Sequence, residues 1–453
     1  MLSNITNPEI ALFMMGIFLF MVLLGFPIAF TLLAMGVMFG YYAYYDPTRM
    51  DTLFDNRIFD LVVQNTYSVM DNHVLTSVPL FLFMGYLVER AGIVAKLFFA
   101  IRLASHKLPA SMAVAALITC ALFSTATGII GAVVTLMGLL AWPAMIKAGY
   151  DKKFASGIIC SGGCLGILIP PSIMLIVYSV IAQLSPLRLF AAAIFPGLML
   201  AGLYIGYAIF RAWMNPSIAP KPAAEEIPPT AVIMKEVLVS FLPLFSLIIL
   251  VLGTILAGIA TPAEAAAVGA FGSLVLSYFY KTLKWKNFKE SVFLTAKTTA
   301  MIMWLFIGSW TFASVFSYLG GHEVFEHFFK SLNLQPWQFL VITQLIIFLL
   351  GWPLEWTEIL IIFVPIFLPL VEFFGVNPYF FAMLIALNLQ TSFLTPPMAM
   401  SAYYLKGVQS KNVELMQIFG GIMPFLGIVI LAMVLMYLFP GIALWLPETL
   451  FAN

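Results

Sequence analysis

From Leu415 to Phe439 the chain runs 25 residues without a charged side chain. A helix needs about 20 mostly apolar residues to cross the hydrocarbon of a bilayer, so this stretch alone points to lipid as the solvent. Comparable stretches lie at about 10–44, 74–100, 154–182, 187–210, 236–257, 262–280, 290–318, 376–404 and 415–439, and each is read as one crossing. Only 9% of the side chains are charged, whereas soluble domains carry about 25%. A water-soluble globule of this length could not cover its outside with polar groups. That excludes a soluble enzyme, a nucleic-acid binder and a disordered scaffold as first readings. The expected fold is an all-α polytopic membrane protein embedded in a lipid bilayer.

Two further apolar stretches, 109–146 and 337–371, are interrupted near their middles. Each fits either two full spans or a re-entrant helical hairpin. Basic residues in short loops mark the cytoplasmic side. The segment 45–72 is acidic, with only Arg49 and Arg57 as cations, and is placed outside. Arg90, Lys96, Arg102 and Lys107 then fall inside, as do Lys147, Lys152 and Lys153 beyond the first interrupted stretch. Both flanks agree only if 109–146 crosses an even number of times. This reading puts 16 of the 21 basic residues in inner loops, the N-terminus inside and the C-terminus outside. The alternative is that Gly25 and Pro27 split 10–44 into two spans. No basic region precedes the first apolar stretch, so no cleavable signal peptide is expected. No Gly-x-x-x-x-Gly-Lys phosphate loop is present, so no ATP motor is expected in the chain itself.

Residues 211–235, with Pro216, Pro220, Pro222, Pro228, Pro229, Glu225 and Glu226, read as a cytoplasmic linker. It separates two halves with the same order of parts: 1–210, and 261–453 after a connecting helix within 211–260. Each half has two spans, an interrupted stretch, a span with a double proline and a further span. In the first half Ile169-Pro170-Pro171-Ser172 follows Ser161-Gly162-Gly163-Cys164-Leu165-Gly166. In the second, Thr395-Pro396-Pro397-Met398 follows Asn388-Leu389-Gln390-Thr391-Ser392. By the charge pattern the halves start from opposite sides. Inverted repeats with broken helices point to a secondary transporter.

Proline removes an N–H and clashes with the carbonyl one turn back, so paired prolines at about 165–172 and 391–398 are expected to unwind their helices. A plain proline kink is the simpler reading of either alone. Freed backbone groups in hydrocarbon cost several kcal/mol unless met, so unwinding fits where it lines an ion-filled cavity. The interruptions carry the same signal: Phe123-Ser124-Thr125-Ala126-Thr127-Gly128 in the first stretch, and Gly351-Trp352-Pro353-Leu354-Glu355-Trp356-Thr357-Glu358 in the second. An intramembrane carboxylate is a functional candidate; Glu355 and Glu358 are either that or solvated acids at a tip that reaches water.

Ala126-Thr127-Gly128, Gly149-Tyr150-Asp151-Lys152, Leu165–Ser172, Thr261–Gly269 and Leu394-Thr395-Pro396-Pro397 together resemble the large membrane subunit of tripartite ATP-independent periplasmic (TRAP) transporters, the DctM-like family. The first tip departs from the commoner Ser-Gly-Ser-Ser version. With Trp356 and Glu358 it looks like the subgroup associated with mannitol, chloroaromatic compounds and α-keto acids, which leaves the substrate open. The resemblance implies an elevator mechanism, with a transport domain sliding against a scaffold. It implies sodium as coupling ion with no other cofactor, and uptake of an organic acid handed over by a DctP-like periplasmic binding protein. It also implies a DctQ-like small membrane subunit and a place in the bacterial inner membrane. One sodium site would use Thr127, Gly128, Gly166, Leu168 and Pro171. The other would use Gly351, Thr391, Ser392, Leu394, Thr395 and Pro397. The substrate carboxylate would sit near Ser124, Thr127 and Glu355. An inverted-repeat carboxylate transporter working without a binding protein is the alternative; an intramembrane enzyme or a channel are the competing classes.

Other features have plainer readings. Thr261-Pro262-Ala263-Glu264 has the pattern of a capping box that starts a helix. Cys120, Cys160 and Cys164 read as small buried residues. His322 and His327 are five apart, whereas a zinc-protease helix spaces its histidines four apart. Trp285, Trp337, Trp445, Tyr41 and Tyr45 suit interface anchors.

Overall fold

The computed structural model describes residues 7–48, 50–220, 229–409 and 413–451. Every regular element among them is helical, as the need to satisfy backbone groups within lipid demands. Seven helices are long and apolar enough to cross a membrane, or eight if one bent pair counts as a span.

The stretch 10–44 is not one crossing. It forms α1 (Asn7–Leu23) and α2 (Ile28–Ala43), separated by Gly25 at φ +86° and by Pro27, which precedes α2. Phe13 meets Phe39 edge-on with centroids 6.3 Å apart, and Asn7 lines one cavity with Tyr41, Tyr45 and Tyr318. The two helices therefore double back, and the start of α1 lies at the same end as Tyr45. The expectation of an N-terminus opposite the 45–72 segment is corrected accordingly. A left-handed glycine followed by proline reverses the chain without any change in hydropathy.

Within 45–72, Asn56 caps α3 (Arg57–Met70) by accepting the Ile58 N–H at 3.0 Å, and it donates to the Tyr41 carbonyl at 2.9 Å. The expected span 74–100 is also broken, into α4 (Ser77–Arg90) and α5 (Ile93–Ala104), bent by 64°. Gly92 at φ +68° makes that bend.

Next, α6 (Ser111–Thr127) and α7 (Ile130–Lys147) form a hairpin whose feet share one end: the Met112 N–H donates to the Tyr150 hydroxyl at 3.3 Å. Asp151 caps α8 (Lys152–Cys164), accepting the Phe154 N–H at 2.9 Å. A 3-10 turn, Leu165–Ile167, leads into an irregular break before α9 (Ile173–Ala182). Then come α10 (Pro186–Met214) and α11 (Thr230–Leu256). The polar linker is thus narrower than 211–235, because both of its flanks are helical. Pro222, Glu225, Glu226 and Pro228 lie outside the described residues, as do Arg49 and Lys411. The described start of the linker folds back, with the Asp151 N–H donating to the Ile218 carbonyl at 2.9 Å.

The capping box is present: the Thr261 N–H donates to Glu264 at 2.8 Å and the Glu264 N–H to the Thr261 hydroxyl at 3.3 Å. It opens α12 (Pro262–Phe279), whose small residues let α4 approach; a Cβ on Gly269 would stand 2.6 Å from the Met84 sulfur. The long α13 (Trp285–Tyr318) packs along α2 and α4. On α14 (Gly321–Ser331), Lys330 pairs with Glu326 one turn back and holds that carboxyl below its ordinary range.

The second interrupted stretch gives α15 (Pro336–Leu350), an irregular tip, α16 (Trp356–Glu358), a π-helical turn Ile359–Phe363 and α17 (Val364–Phe373). After it, α18 (Pro378–Leu394) is separated by a second break from α19 (Met400–Val408); α20 (Leu415–Leu438) and α21 (Gly441–Leu450) follow. Arg188 donates to the Phe451 carbonyl at 3.3 Å, which places Phe451 beside the start of α10. The halves are cross-braced: α7 packs on α19, α17 on α9, α8 on α20 and α10 on α18.

Candidate functional site

Both double prolines sit in breaks between helices, as their chemistry predicts, and both Pro-Pro bonds are cis. In the first break the N–H groups of Leu168 and Ile169 donate to the Leu165 carbonyl at 3.1 and 3.0 Å. Ser172 donates to the Ile167 carbonyl at 2.6 Å. Among the described residues the carbonyls of Leu168 and Pro171 accept no hydrogen bond, although both residues are buried. Buried backbone oxygens without donors are costly, and they suit a hard cation that binds through oxygen.

The first hairpin tip meets this break. Gly128 ends α6 at φ +62°, and its N–H donates to the Ser124 carbonyl at 2.8 Å. A Cβ on Gly166 would stand 2.2 Å from the Ser124 Cβ, so the two segments touch nearly backbone to backbone. On the other side of the tip, a Cβ on Gly85 of α4 would stand 2.7 Å from the Thr127 carbonyl oxygen. The structure therefore brings Ser124, Thr127, Gly128, Gly166 and the Leu168–Pro171 break into one region. The Thr127 hydroxyl is buried and has no partner. The Ser124 hydroxyl donates to the Cys120 carbonyl, and Ser124 packs on Gly166.

The second site repeats the arrangement with the residue types exchanged. Here the tip supplies the glycine, Gly351, and the helix end supplies the serine; a Cβ on Gly351 would stand 2.8 Å from the Ser392 Cβ. Thr391, Ser392 and Thr395 donate to the carbonyls of Asn388, Leu389 and Thr391 at 2.7, 2.8 and 2.7 Å. Their oxygens keep lone pairs for a ligand. The Leu394 carbonyl accepts no hydrogen bond among the described residues, whereas the Pro397 carbonyl accepts the Tyr403 hydroxyl at 2.9 Å.

Glu358 is 5% exposed and its Oε2 has no partner. That corrects the reading of it as a solvated surface acid. Glu355, at the N-cap position of α16, is partly exposed. Around the site, Tyr404 and Gln344 are not among the residues the sequence singles out, and Asn388 is there only as part of a motif. Tyr404 lies on the first turn of α7, where a Cβ on Gly131 would stand 2.9 Å from its ring, and it is within electrostatic reach of Glu355. Asn388 ties α18 to α15 by donating to the Gln344 carbonyl and side-chain oxygen at 2.7 and 2.9 Å. Gln344, a lone amide in an apolar run, was a legible signal; a tyrosine near a helix end was not.

The three cysteines are buried, with Cys120 packed against Gly162 and the Cys160 thiol 3.5 Å from the Ser401 carbonyl. His322 packs edge-on against Phe316. Among the described residues no three of His, Cys, Asp or Glu cluster as metal ligands.

Long apolar helices around two interrupted ones define a multi-pass membrane protein of helical hairpins and broken helices. A family model described as the tripartite ATP-independent periplasmic transporter, DctM component, matches residues 15–442. The chain belongs to that family, whose members are permeases of secondary transporters. The C4-dicarboxylate TRAP transporter large permease protein DctM of Pseudomonas aeruginosa is 28% identical over 388 residues, covering 85% of this chain and 88% of that protein. The sialic acid TRAP transporter large permease protein SiaM of Vibrio cholerae is 30% identical over 395 residues, covering 86% and 90%. The isethionate TRAP transporter permease protein DctMQ of Oleidesulfovibrio alaskensis is 28% identical over 390 residues, covering 85% and 60%. Among solved structures, the Alcanivorax borkumensis YdaH transporter superposes with a TM-score of 0.61 at 15% identity, covering 92% of this chain and 98% of that one. At that identity the likeness concerns the fold alone.

Proposed function

We propose that this permease takes up an organic acid, such as an α-keto or dicarboxylic acid, across the bacterial inner membrane, driven by sodium ions. The observation that carries the reading is the pair of breaks, each with an unmet carbonyl on a buried residue (Leu168, Leu394) against a hairpin tip. The first sodium would bind around Thr127, Gly128, Gly166, Leu168 and Pro171. The second would bind around Gly351, Thr391, Ser392, Leu394, Thr395 and Pro397. The substrate anion would lie between the tips, near Ser124, Thr127 and Glu355, with Tyr404 bordering the same space. The relatives are named for C4-dicarboxylates, sialic acid and isethionate, which are all anions at neutral pH.

The matched order of hairpin, broken helix and long helix supports two inverted repeats with re-entrant hairpins. The packing of α2, α4, α12 and α13 together, with α4 touching the first hairpin and α13 the second, supports a scaffold against which those hairpins slide as an elevator. A DctP-like periplasmic binding protein would deliver the acid, and a DctQ-like small subunit would complete the membrane complex.

The test is uptake in proteoliposomes containing this chain and its small subunit. Radiolabelled pyruvate or succinate is supplied with the cognate binding protein. Uptake is expected only with an inward sodium gradient and with the binding protein present. Uptake that is indifferent to sodium, or undiminished without the binding protein, refutes the reading.

The acids of the second tip give a further prediction. Intramembrane carboxylates are kept for function, and Glu358 is too buried to act as a surface charge. Glu358→Gln is expected to leave the melting temperature nearly unchanged while reducing uptake by about tenfold or more, roughly 1.4 kcal/mol in the transport barrier. Undiminished uptake in both Glu355→Gln and Glu358→Gln would reduce the pair to helix caps.

A further inference from the structure

The two breaks resemble each other in sequence but differ in what holds their carbonyls. In the second break, two side chains from the first turn of α19 reach back: Ser401 donates to the Phe393 carbonyl at 2.7 Å at a buried position, and Tyr403 donates to the Pro397 carbonyl at 2.9 Å at an exposed one. The Tyr403 ring is in turn placed edge-on against Phe419 of α20, with centroids 6.5 Å apart. Tyr403 stands six residues after Pro397. The residue six after Pro171 is Val177, which has no hydroxyl, and the Pro171 carbonyl accepts no hydrogen bond among the described residues.

A carbonyl oxygen has two acceptor positions. A hydroxyl on one leaves the other for a ligand and fixes the plane of the Pro397–Met398 peptide. That plane decides where the oxygen points, and a hard cation needs several oxygens aimed at one centre at once. We propose that Tyr403 is a positioning residue for the second cation site: through its hydrogen bond to the Pro397 carbonyl it sets that site's sodium affinity, a control the first site lacks. The proposal rests on the sodium-coupled reading above and assigns different control to its two ions.

The experiment measures uptake against sodium concentration for the reconstituted complex with its binding protein, comparing wild type with Tyr403→Phe. Sodium-induced thermal stabilisation of the purified complex serves as a second readout that needs no transport. In Tyr403→Phe the sodium concentration for half-maximal uptake is expected to rise about threefold to tenfold, the range one neutral hydrogen bond supports. The sodium needed for thermal stabilisation should rise in parallel. Maximal uptake at saturating sodium and the melting temperature without sodium should stay at wild-type values. Tyr278→Phe, on the exposed face of α12, should change neither sodium curve. An unchanged or lowered half-saturation in Tyr403→Phe overturns the proposal, as does loss of maximal uptake or of stability with half-saturation intact. Wild-type uptake that ignores sodium overturns the parent reading instead, so the two failures are distinguishable.

Discussion

Gly166→Ala is expected to cut uptake by about tenfold or more while the protein still folds. The added methyl would lie 2.2 Å from the Ser124 Cβ, 2.9 Å from the Ser124 carbonyl oxygen and 3.0 Å from its Cα. Overpacking a tight contact typically costs about 1–3 kcal/mol. Here the strain falls on the seam between the first tip and the first break, so it displaces the groups that would hold the cation. The companion Ser124→Gly removes the nearest of the three contacts. The double variant should therefore recover part of the lost uptake but not all, because the backbone of residue 124 stays close. Such non-additivity marks residues in direct contact. Sodium-dependent uptake of both single variants and the pair provides the measurement. Additive losses, or a harmless Gly166→Ala, would mean that the seam does not shape the site.

The second large effect is on folding. A Cβ on Gly421 would stand 2.0 Å from the Lys153 carbonyl oxygen, and one on Gly157 would stand 2.2 Å from the Gly421 carbonyl oxygen. Here α8 and α20 meet backbone to backbone, as small residues allow helices to do in membranes. No flexible side chain can give way. Gly421→Val should force the helices apart and yield little or no monodisperse protein in detergent. On the same helix, a Cβ at Gly427 meets nothing within 4 Å. Gly427→Ala should therefore purify and melt like wild type, which separates a contact effect from a general intolerance of α20 to substitution. Size-exclusion profiles and thermal melts of the two variants decide it.

The elements legible in the sequence are those whose cause is local. Paired prolines act on the helix that contains them, so Pro170-Pro171 and Pro396-Pro397 announced both breaks. The Thr261–Glu264 box spans four residues and reads in full from the sequence. The feet of the first hairpin were placed together by lysines on either side of 109–146, since charge cannot cross lipid cheaply. What hydropathy averages away was lost. Gly92 bends the chain inside an apolar stretch that reads as continuous, whereas Gly25 with Pro27 marks the split of 10–44 only as an alternative that hydropathy does not decide. The site was legible as segments rather than as contacts. Nothing along the chain says that Ser124 rests on Gly166, or that Gly351 rests on Ser392 with the roles exchanged. Tyr403 and Tyr404 are adjacent, yet one turns to a carbonyl of the second break and the other to the backbone of α7. Which side chain meets which distant carbonyl depends on helix rotation that no short motif encodes.

The cross-bracing has a mechanical consequence. The first hairpin leans on the helix that follows the second break, and the second hairpin leans on the helix that follows the first. Neither pair can be dragged far without hauling the other along. Passengers lodged at the two breaks would therefore ride as a single freight. On the proposed reading, slippage of one without its companion would strain both seams together, and the framework would couple the two with no separate latch for each passenger.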